Sequence, residues 1–233
     1  MMHLSKKLVC CLMLASGLFA AGANAQLPND TIGSTTLPPP DDHRSYIVDF
    51  QFDNLVVGRV TVVDPDNQKF LGMMPTGGGA PMVLSNDRET IYTADFFYSR
   101  YVRGDRVDIL TAWDSRNLVP KWELKIPSKR AFMLTERYGF DKSADDKFLY
   151  IYNFTPSTSI TVVDVTKQEV VNEISINGCV LNYPSGDRRF ASICGDGSLQ
   201  TITLDDNGKE IDRAKNFVLA RSISLPLSSK VIV

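Results

Sequence analysis

From about Arg44 onward, short runs of β-branched and aromatic residues alternate with polar ones, and clusters of Asp, Asn, Pro, Gly and Ser separate the runs. The stretch Arg59 to Asp95 shows the pattern most fully. It holds two hairpin signatures, TVVD-PDNQ-KFLGMM and VLS-NDRE-TIYTA, each a pair of apolar runs around a polar turn. Four short strands joined this way predict one small antiparallel sheet. Helical periodicity is sparse, which points to an all-β chain.

The unit then repeats. Val63-Asp64, Trp113-Asp114 and Val163-Asp164 recur at a spacing of 50 residues, followed by a weaker Leu204-Asp205. The second signature is echoed in the same way: SNDRETIYTA at Ser85, SADDKFLYIY at Ser143 and SGDRRFASIC at Ser185. Four strands per unit at a period of about 40 to 50 residues is the sequence pattern of a β-propeller blade. The recurring Asp is expected to bond the backbone amides of the turn that follows it, which fixes hairpin register and therefore which side of each strand is buried. These aspartates are turn-formers in this reading rather than a catalytic carboxylate pair.

The first 25 residues read as a secretory signal. Lys6 and Lys7 supply the positive start, Leu8 to Gly22 an apolar run, and Ala23-Asn24-Ala25 the small-residue cleavage site. An apolar run of 15 residues is short of the roughly 20 that a membrane-spanning helix needs, so no membrane span is expected after cleavage. Residues 26–43 follow as a Pro-rich flexible arm with few large apolar groups. Order is expected to begin at Ser45 to Val48, a strand free to pair with a distant blade. The remaining boundaries are a partial propeller over residues 44–210 and a divergent tail over 211–233.

Export changes the cysteine count. Cys10 and Cys11 leave with the signal, and Cys179 and Cys194 remain as an even pair in an oxidising compartment. They flank a stretch whose centre, Pro184 to Arg188, reads as a turn, so the two can face each other across neighbouring strands and a disulfide is predicted. On the chain-entropy model such a loop adds about 3 kcal/mol. Losing Lys6 and Lys7 and no acid leaves 23 basic against 27 acidic residues, a net charge of -4. Arg100, Arg103 and Arg106 are the only notable basic cluster, and with Asp105 and Asp108 close by they read as a solvated, ion-paired loop. No nucleic-acid partner is expected.

Candidate chemistry is scarce. The mature chain keeps one histidine, His43, in the polar arm, whereas a serine triad or a zinc hydrolase needs more than one. The glycine run Gly77 to Gly79 lacks the Lys-Ser/Thr of a phosphate loop and opens no helix. No metal site is expected. Phe96, Phe97, Tyr98 and Tyr101 form a dense aromatic group that suits either blade packing or the lining of a passage.

KFLGMMPTG, VLSNDRETIYTA, YSRYVRGDRVDILTAWDSRNL and ICGDGSLQTITLDDNGK, in this order, resemble the heavy (large) subunit of the periplasmic quinoprotein amine dehydrogenases, the methylamine and aralkylamine types. The resemblance spans about Arg44 to Glu210. It implies a β-propeller of four-stranded antiparallel blades, about four present of an expected seven, and hence a chain shortened at its C-terminal end. It further implies a light chain that carries tryptophan tryptophylquinone, no cofactor on this chain, and a blue copper electron acceptor of amicyanin or azurin type. The reaction implied is oxidation of a primary amine to aldehyde and ammonia, with this chain inactive alone. By the same resemblance Tyr98, and after it Phe97, are substrate-channel candidates, and Cys179 and Cys194 match the family's paired cysteines. The alternative from another class is a non-enzymatic exported propeller that binds a ligand or partner protein.

Overall fold

A computed structural model describes residues 35–50, 53–131 and 137–217. The signal segment and the tail beyond residue 217 lie outside the described residues. Fifteen strands occur among those described, with one 3-10 turn at Arg137–Gly139 and no α-helix. They form one three-stranded and three four-stranded sheets, each an antiparallel meander. The first sheet holds β1 (Ser45–Phe50), β2 (Val57–Asp64) and β3 (Lys69–Gly77). The second holds β4 (Met82–Leu84), β5 (Thr90–Tyr98), β6 (Arg106–Asp114) and β7 (Pro120–Ile126). The third holds β8 (Phe140–Lys142), β9 (Phe148–Asn153), β10 (Ser159–Asp164) and β11 (Glu169–Ser175), and the fourth β12 (Cys179–Pro184), β13 (Arg189–Cys194), β14 (Ser198–Leu204) and β15 (Glu210–Phe217).

Three expectations are corrected by this topology. The two hairpins of Arg59 to Asp95 belong to different blades: β2 and β3 end the first sheet, and β4 and β5 begin the second. Hairpin signals identify strands that pair, but nothing in such a signal marks where one sheet stops. The strand at Ser45 pairs with its sequence neighbour β2, Val48 opposite Val60, rather than with a distant blade. The fourth blade runs to Phe217, past the boundary drawn at Glu210, because the alternating charges of EIDRAKNF disguise an edge strand whose side chains are largely wet.

The recurring Asp has the same job four times. Asp64 accepts the Asn67 amide at 3.0 Å, and Asp114 the amides of Arg116 and Asn117 at 2.9 and 2.8 Å. Asp164 takes those of Thr166 and Lys167 at 2.9 and 3.0 Å, and Asp205 those of Asn207 and Lys209 at 2.8 Å each. The bonds to Asn67 hold the Asp64 carboxyl below the usual carboxylate range. One further device repeats with it: the strand register shifts at the residue before the Asp, between Val62 and Val63, Ala112 and Trp113, Val162 and Val163, and Thr203 and Leu204. Gln68, Leu118 and Gln168 then take left-handed backbone at φ near 55°, where the fourth turn has Gly208 at 78°. A bulge followed by a left-handed residue re-aims the last strand of every blade.

The other echoed motif is also structural. Ser85 donates its hydroxyl to Asp87 at 2.5 Å and accepts the Thr90 amide at 3.0 Å, and Ser143 does the same with Asp145 and Phe148 at 2.7 and 2.9 Å. These turns also tie neighbouring blades. The Asn86 amide donates to Asp146 at 2.5 Å, the Ala144 amide to Gly186 O at 3.2 Å, and Arg188 pairs with both Asp145 and Asp206.

Between the sheets lie three apolar clusters, and strand parity assigns residues to them. On β9, Leu149 and Ile151 join Tyr92, Ala94, Leu110 and Ala112 of the second sheet, while Phe148, Tyr150 and Tyr152 join Phe190, Ile202 and Leu204 of the fourth. Every residue of β9 and β10 is therefore buried. Val60, Val62 and Met74 meet Ile91 and Trp113 in the third cluster. On the far sides of the first and fourth sheets, Ile47, Phe70 and Met73, and likewise Val180 and Ile193, are exposed.

The described end of the Pro-rich arm is extended and attached to the second sheet. The Leu37 amide donates to Arg116 O, and buried Arg44 donates to the carbonyls of Ser115, Pro38 and Pro39. The predicted disulfide is present: Cys179 and Cys194 stand directly opposite on β12 and β13, with sulfurs 1.97 Å apart.

Phe190→Ala empties a site between the third and fourth sheets and should lower unfolding free energy by about 3 to 5 kcal/mol, whereas Phe70→Ala on the wet side should change it by less than about 0.5. Urea titration followed by circular dichroism measures both. Replacing Cys179 and Cys194 together by Ala should lower stability by about 3 kcal/mol and remove the sensitivity of the melting temperature to reductant.

Candidate functional site

The aromatic group flagged in the sequence sits where β5 leaves its sheet, and strand alternation divides it. Ile91, Thr93, Asp95 and Phe97 project toward the first sheet, and Tyr92, Ala94, Phe96 and Tyr98 toward the third. Phe96 is fully buried, Tyr98 half-buried, and Phe97 and Tyr101 exposed at 43% and 61%. Tyr98 sets its ring edge-on to Phe96, with centroids 5.8 Å apart at 72°. Tyr101 sits at the tip of the β5–β6 loop in left-handed backbone, φ 65°, and its hydroxyl accepts a hydrogen bond from Asn54.

The glycine run packs beneath these rings. A Cβ at Gly77 would lie 2.5 Å from Phe96 O and 2.9 Å from the Phe97 ring, and one at Gly78 would lie 2.3 Å from the Phe96 ring and 2.4 Å from Leu55 O. Both positions need glycine for close approach, which gives the run a purpose unrelated to phosphate. Gly78 and Phe96 exchange backbone hydrogen bonds at 3.0 and 3.2 Å, closing the loop onto the strand.

A buried charged group surrounds this contact, and sequence reasoning missed it. Asp95, 1% exposed, accepts the Gly77 amide at 3.0 Å. Arg130, 4% exposed and on the linker after β7, donates from Nη2 to Gly79 O at 2.9 Å. Asp108 is fully buried and holds Arg106 in a two-pronged pair at 2.7 Å per bond. The Arg106 guanidinium lies 4.8 Å above the Phe96 ring and also donates to Arg130 O at 3.2 Å. Burial pushes the Asp95 carboxyl from an ordinary 3.8 up to about 6, against the pull of the Gly77 amide, the Thr93 hydroxyl and Arg130. Burial likewise draws Arg130 down to about 10, with Asp108 and then Asp95 opposing it. The only sequence signal was an Asp in the middle of an apolar strand, TIYTADFFY, and the spacing of Arg130 from it in sequence gave no hint of contact.

Of the three arginines expected in an ion-paired loop, Arg106 is paired with Asp108. Arg100 and Arg103 are exposed, and neither forms an ion pair among the described residues. His43 lies exposed beside Asp66, 2.5 Å away, and that hydrogen bond raises its pKa. Among the described residues, no group of three or more His, Cys, Asp or Glu side chains is placed to hold a metal ion, and no helix is long and apolar enough to cross a membrane. The chain's two tryptophans occupy opposite sides of one sheet. Trp113 faces the first sheet and donates to Thr93, while Trp122 stands opposite Ala112 on the other side.

Residues 41–220 match the family model described as methylamine dehydrogenase heavy chain. A methylamine dehydrogenase heavy chain from Methylobacillus flagellatus is 31% identical over 193 residues, covering 83% of this chain and 48% of that one. Its counterpart from Methylophilus methylotrophus is 28% identical over 209 residues, 86% and 51% of the two chains. The chain thus spans about half the length of the curated relatives it matches. Among solved structures, a dihydro-heme d1 dehydrogenase superposes with a TM-score of 0.55 at 18% identity, over 81% of this chain and 38% of that one, a likeness of fold alone.

Because Asp95 carries a raised pKa only when folded, the native state binds a proton between about pH 4 and 6 that the unfolded chain has released. Stability is fully present below the lower value and declines as pH rises through the upper one. Asp95→Asn keeps an oxygen for the Gly77 amide and should remove that decline, so the variant gains about 2 to 3 kcal/mol on wild type between pH 4 and pH 7. Denaturant melts at both pH values test this; parallel curves refute it.

Proposed function

The chain belongs to the methylamine dehydrogenase heavy chain family, and on that basis we propose that it is the propeller subunit of an exported amine dehydrogenase, seated against a light chain in the periplasm. The match of residues 41–220 to the heavy-chain family carries this reading. The reaction proposed converts a primary amine and water to an aldehyde and ammonia, releasing two electrons and two protons, with the electrons passing to a blue copper protein.

Tryptophan tryptophylquinone on the light chain would supply the two-electron chemistry. Trp113 and Trp122 face opposite sides of their sheet, which supports the reading that the cross-linked pair is built on the light chain. What this chain contributes is shape and surface. Tyr98 and Phe97 offer one aromatic ring on each side of the end of β5, either of which suits the alkyl part of an amine and the π-face attraction of an ammonium group. We assign Tyr98 first and Phe97 second to the substrate entrance.

Co-expression with a candidate light chain should give a co-purifying complex that reduces a dye only when amine is added, and a complex that forms without such activity counts against the assignment. Within an active complex, Tyr98→Ala should change the ratio of kcat/KM between a bulky and a small primary amine by about tenfold, the discrimination that a hydrophobic pocket gains from one methylene or so. An unchanged ratio removes Tyr98 from the entrance.

A further inference from the structure

Phe97 and Tyr98 do not hold themselves in place. Phe97 rests on Gly77, whose hypothetical Cβ would stand 2.9 Å from its ring, and Tyr98 rests on the edge of Phe96. Phe96 in turn is enclosed by Gly78 and by the Arg106 guanidinium. Everything under the two rings therefore depends on where the 77–79 loop and Arg106 sit. Two buried side chains fix the loop, while the Asp108 carboxylate and the Arg130 backbone fix Arg106. Asp95 holds Gly77 through its amide, Arg130 holds Gly79 through its carbonyl, and the Arg130 carbonyl receives Arg106.

We propose that Asp95 and Arg130 are positioning residues of the amine entrance: together they clamp the glycine loop onto Phe96 and Phe97, and so set where the Phe97 and Tyr98 rings stand. This rests on the entrance assignment made above. The clamp spans three segments that are remote in sequence, the β3–β4 loop, the end of β5 and the linker after β7, so loosening either bond frees the loop from one side. Arg130 forms no direct ion pair among the described residues; its attraction to Asp108 and Asp95 acts at longer range. The charged groups acting on Asp95 are Arg130 from the linker and Glu123 from β7, and those acting on Arg130 include Arg106 and Asp108 from β6. The glycine loop adds no charge. Burial disfavours the charged carboxyl, so opening that lets water reach Asp95 releases its proton; the clamp is firmest with the carboxyl protonated and loosens as pH rises through the range in which burial places that carboxyl.

The test uses the full chain, alone and assembled with its light chain, in wild type, Asp95→Ala, Asp95→Asn, Arg130→Met and Tyr98→Ala, with Arg130→Lys standing in should the Met variant fail to fold. In the chain alone, amide hydrogen exchange at Gly77, Gly78 and Phe96 should accelerate by about tenfold in the two clamp variants, Asp95→Ala and Arg130→Met, while the amides of β9 and β10 keep their protection; Asp95→Asn, which keeps the acceptor, serves only for the pH profile. In the complex, the kcat/KM ratio for a bulky against a small amine of equal basicity should shift by about tenfold. In wild type that ratio should also change between pH 5 and pH 7, near the carboxyl's value of about 6, and in Asp95→Asn it should be flat. Faster exchange with a shifted ratio supports the clamp. Unchanged exchange in both clamp variants overturns it whatever the amine profile. Faster exchange with an unchanged ratio overturns it where Tyr98→Ala does shift the ratio. Where Tyr98→Ala also leaves the ratio unchanged, the rim is not an entrance and the functional assignment falls, taking the proposal with it.

Discussion

Burial of sheets on both sides is the constraint from which the rest follows. A single hairpin or small antiparallel sheet is marginal in water, and a four-stranded blade has two faces to cover. Stacking blade on blade solves this for the inner sheets, and Leu149 and Ile151 look one way along β9 while Phe148, Tyr150 and Tyr152 look the other. Because the side-chain period is two, a one-residue slip in any strand would exchange these sets and place Tyr150 where Leu149 packs. Register is therefore the quantity the chain has to specify, and it does so at the turns. The bulge one residue before Asp64, Asp114, Asp164 and Asp205, the carboxylate that gathers the following amides, and the left-handed residue after it form one device used four times.

That device explains which parts of the fold were legible. Asp in a turn makes bonds to its own neighbours, so its role can be read from four adjacent residues, and the period of 50 between its copies gave the architecture. The disulfide was legible for a similar reason, since the two cysteines bracket a single hairpin. Blade phase was not legible. A hairpin between the third and fourth strands of one sheet looks the same in sequence as one between the first and second strands of the next, and only the inter-sheet packing decides. Continuous burial of β9 and β10 hid the expected alternation as well, because a strand covered on both sides has no polar face to show.

The rim was half legible. Clustered aromatics announced themselves in DFFYSRY, but their division into a buried Phe96, a half-buried Tyr98 and an exposed Phe97 depends on contacts from the 77–79 loop. The triple glycine was visible and its purpose was not, for close approach to a ring seventeen or more residues away leaves no local trace. Arg130 was wholly invisible. Its partners Gly79, Asp108 and Asp95 lie on other elements, and only chain tracing through the second sheet brings them together.

Such a cluster is a poor way to stabilise a protein. Removing two opposite charges from water costs several kcal/mol for each, and well-packed apolar groups of similar volume often do as well or better. Here the geometry is not even a direct pair: Arg130 gives one hydrogen bond to a carbonyl and leaves Nη1 buried without a hydrogen-bond partner among the described residues, and Asp95 pays for its burial with a carboxyl pushed up toward neutrality. What apolar groups could not replace is direction. A guanidinium aimed at Gly79 O and a carboxylate aimed at Gly77 N fix a glycine loop, the most permissive backbone in the chain, to within a hydrogen bond's tolerance beneath two rings on the surface. The blades supply stability through area, and the buried charges supply position at the glycine loop beside the end of β5.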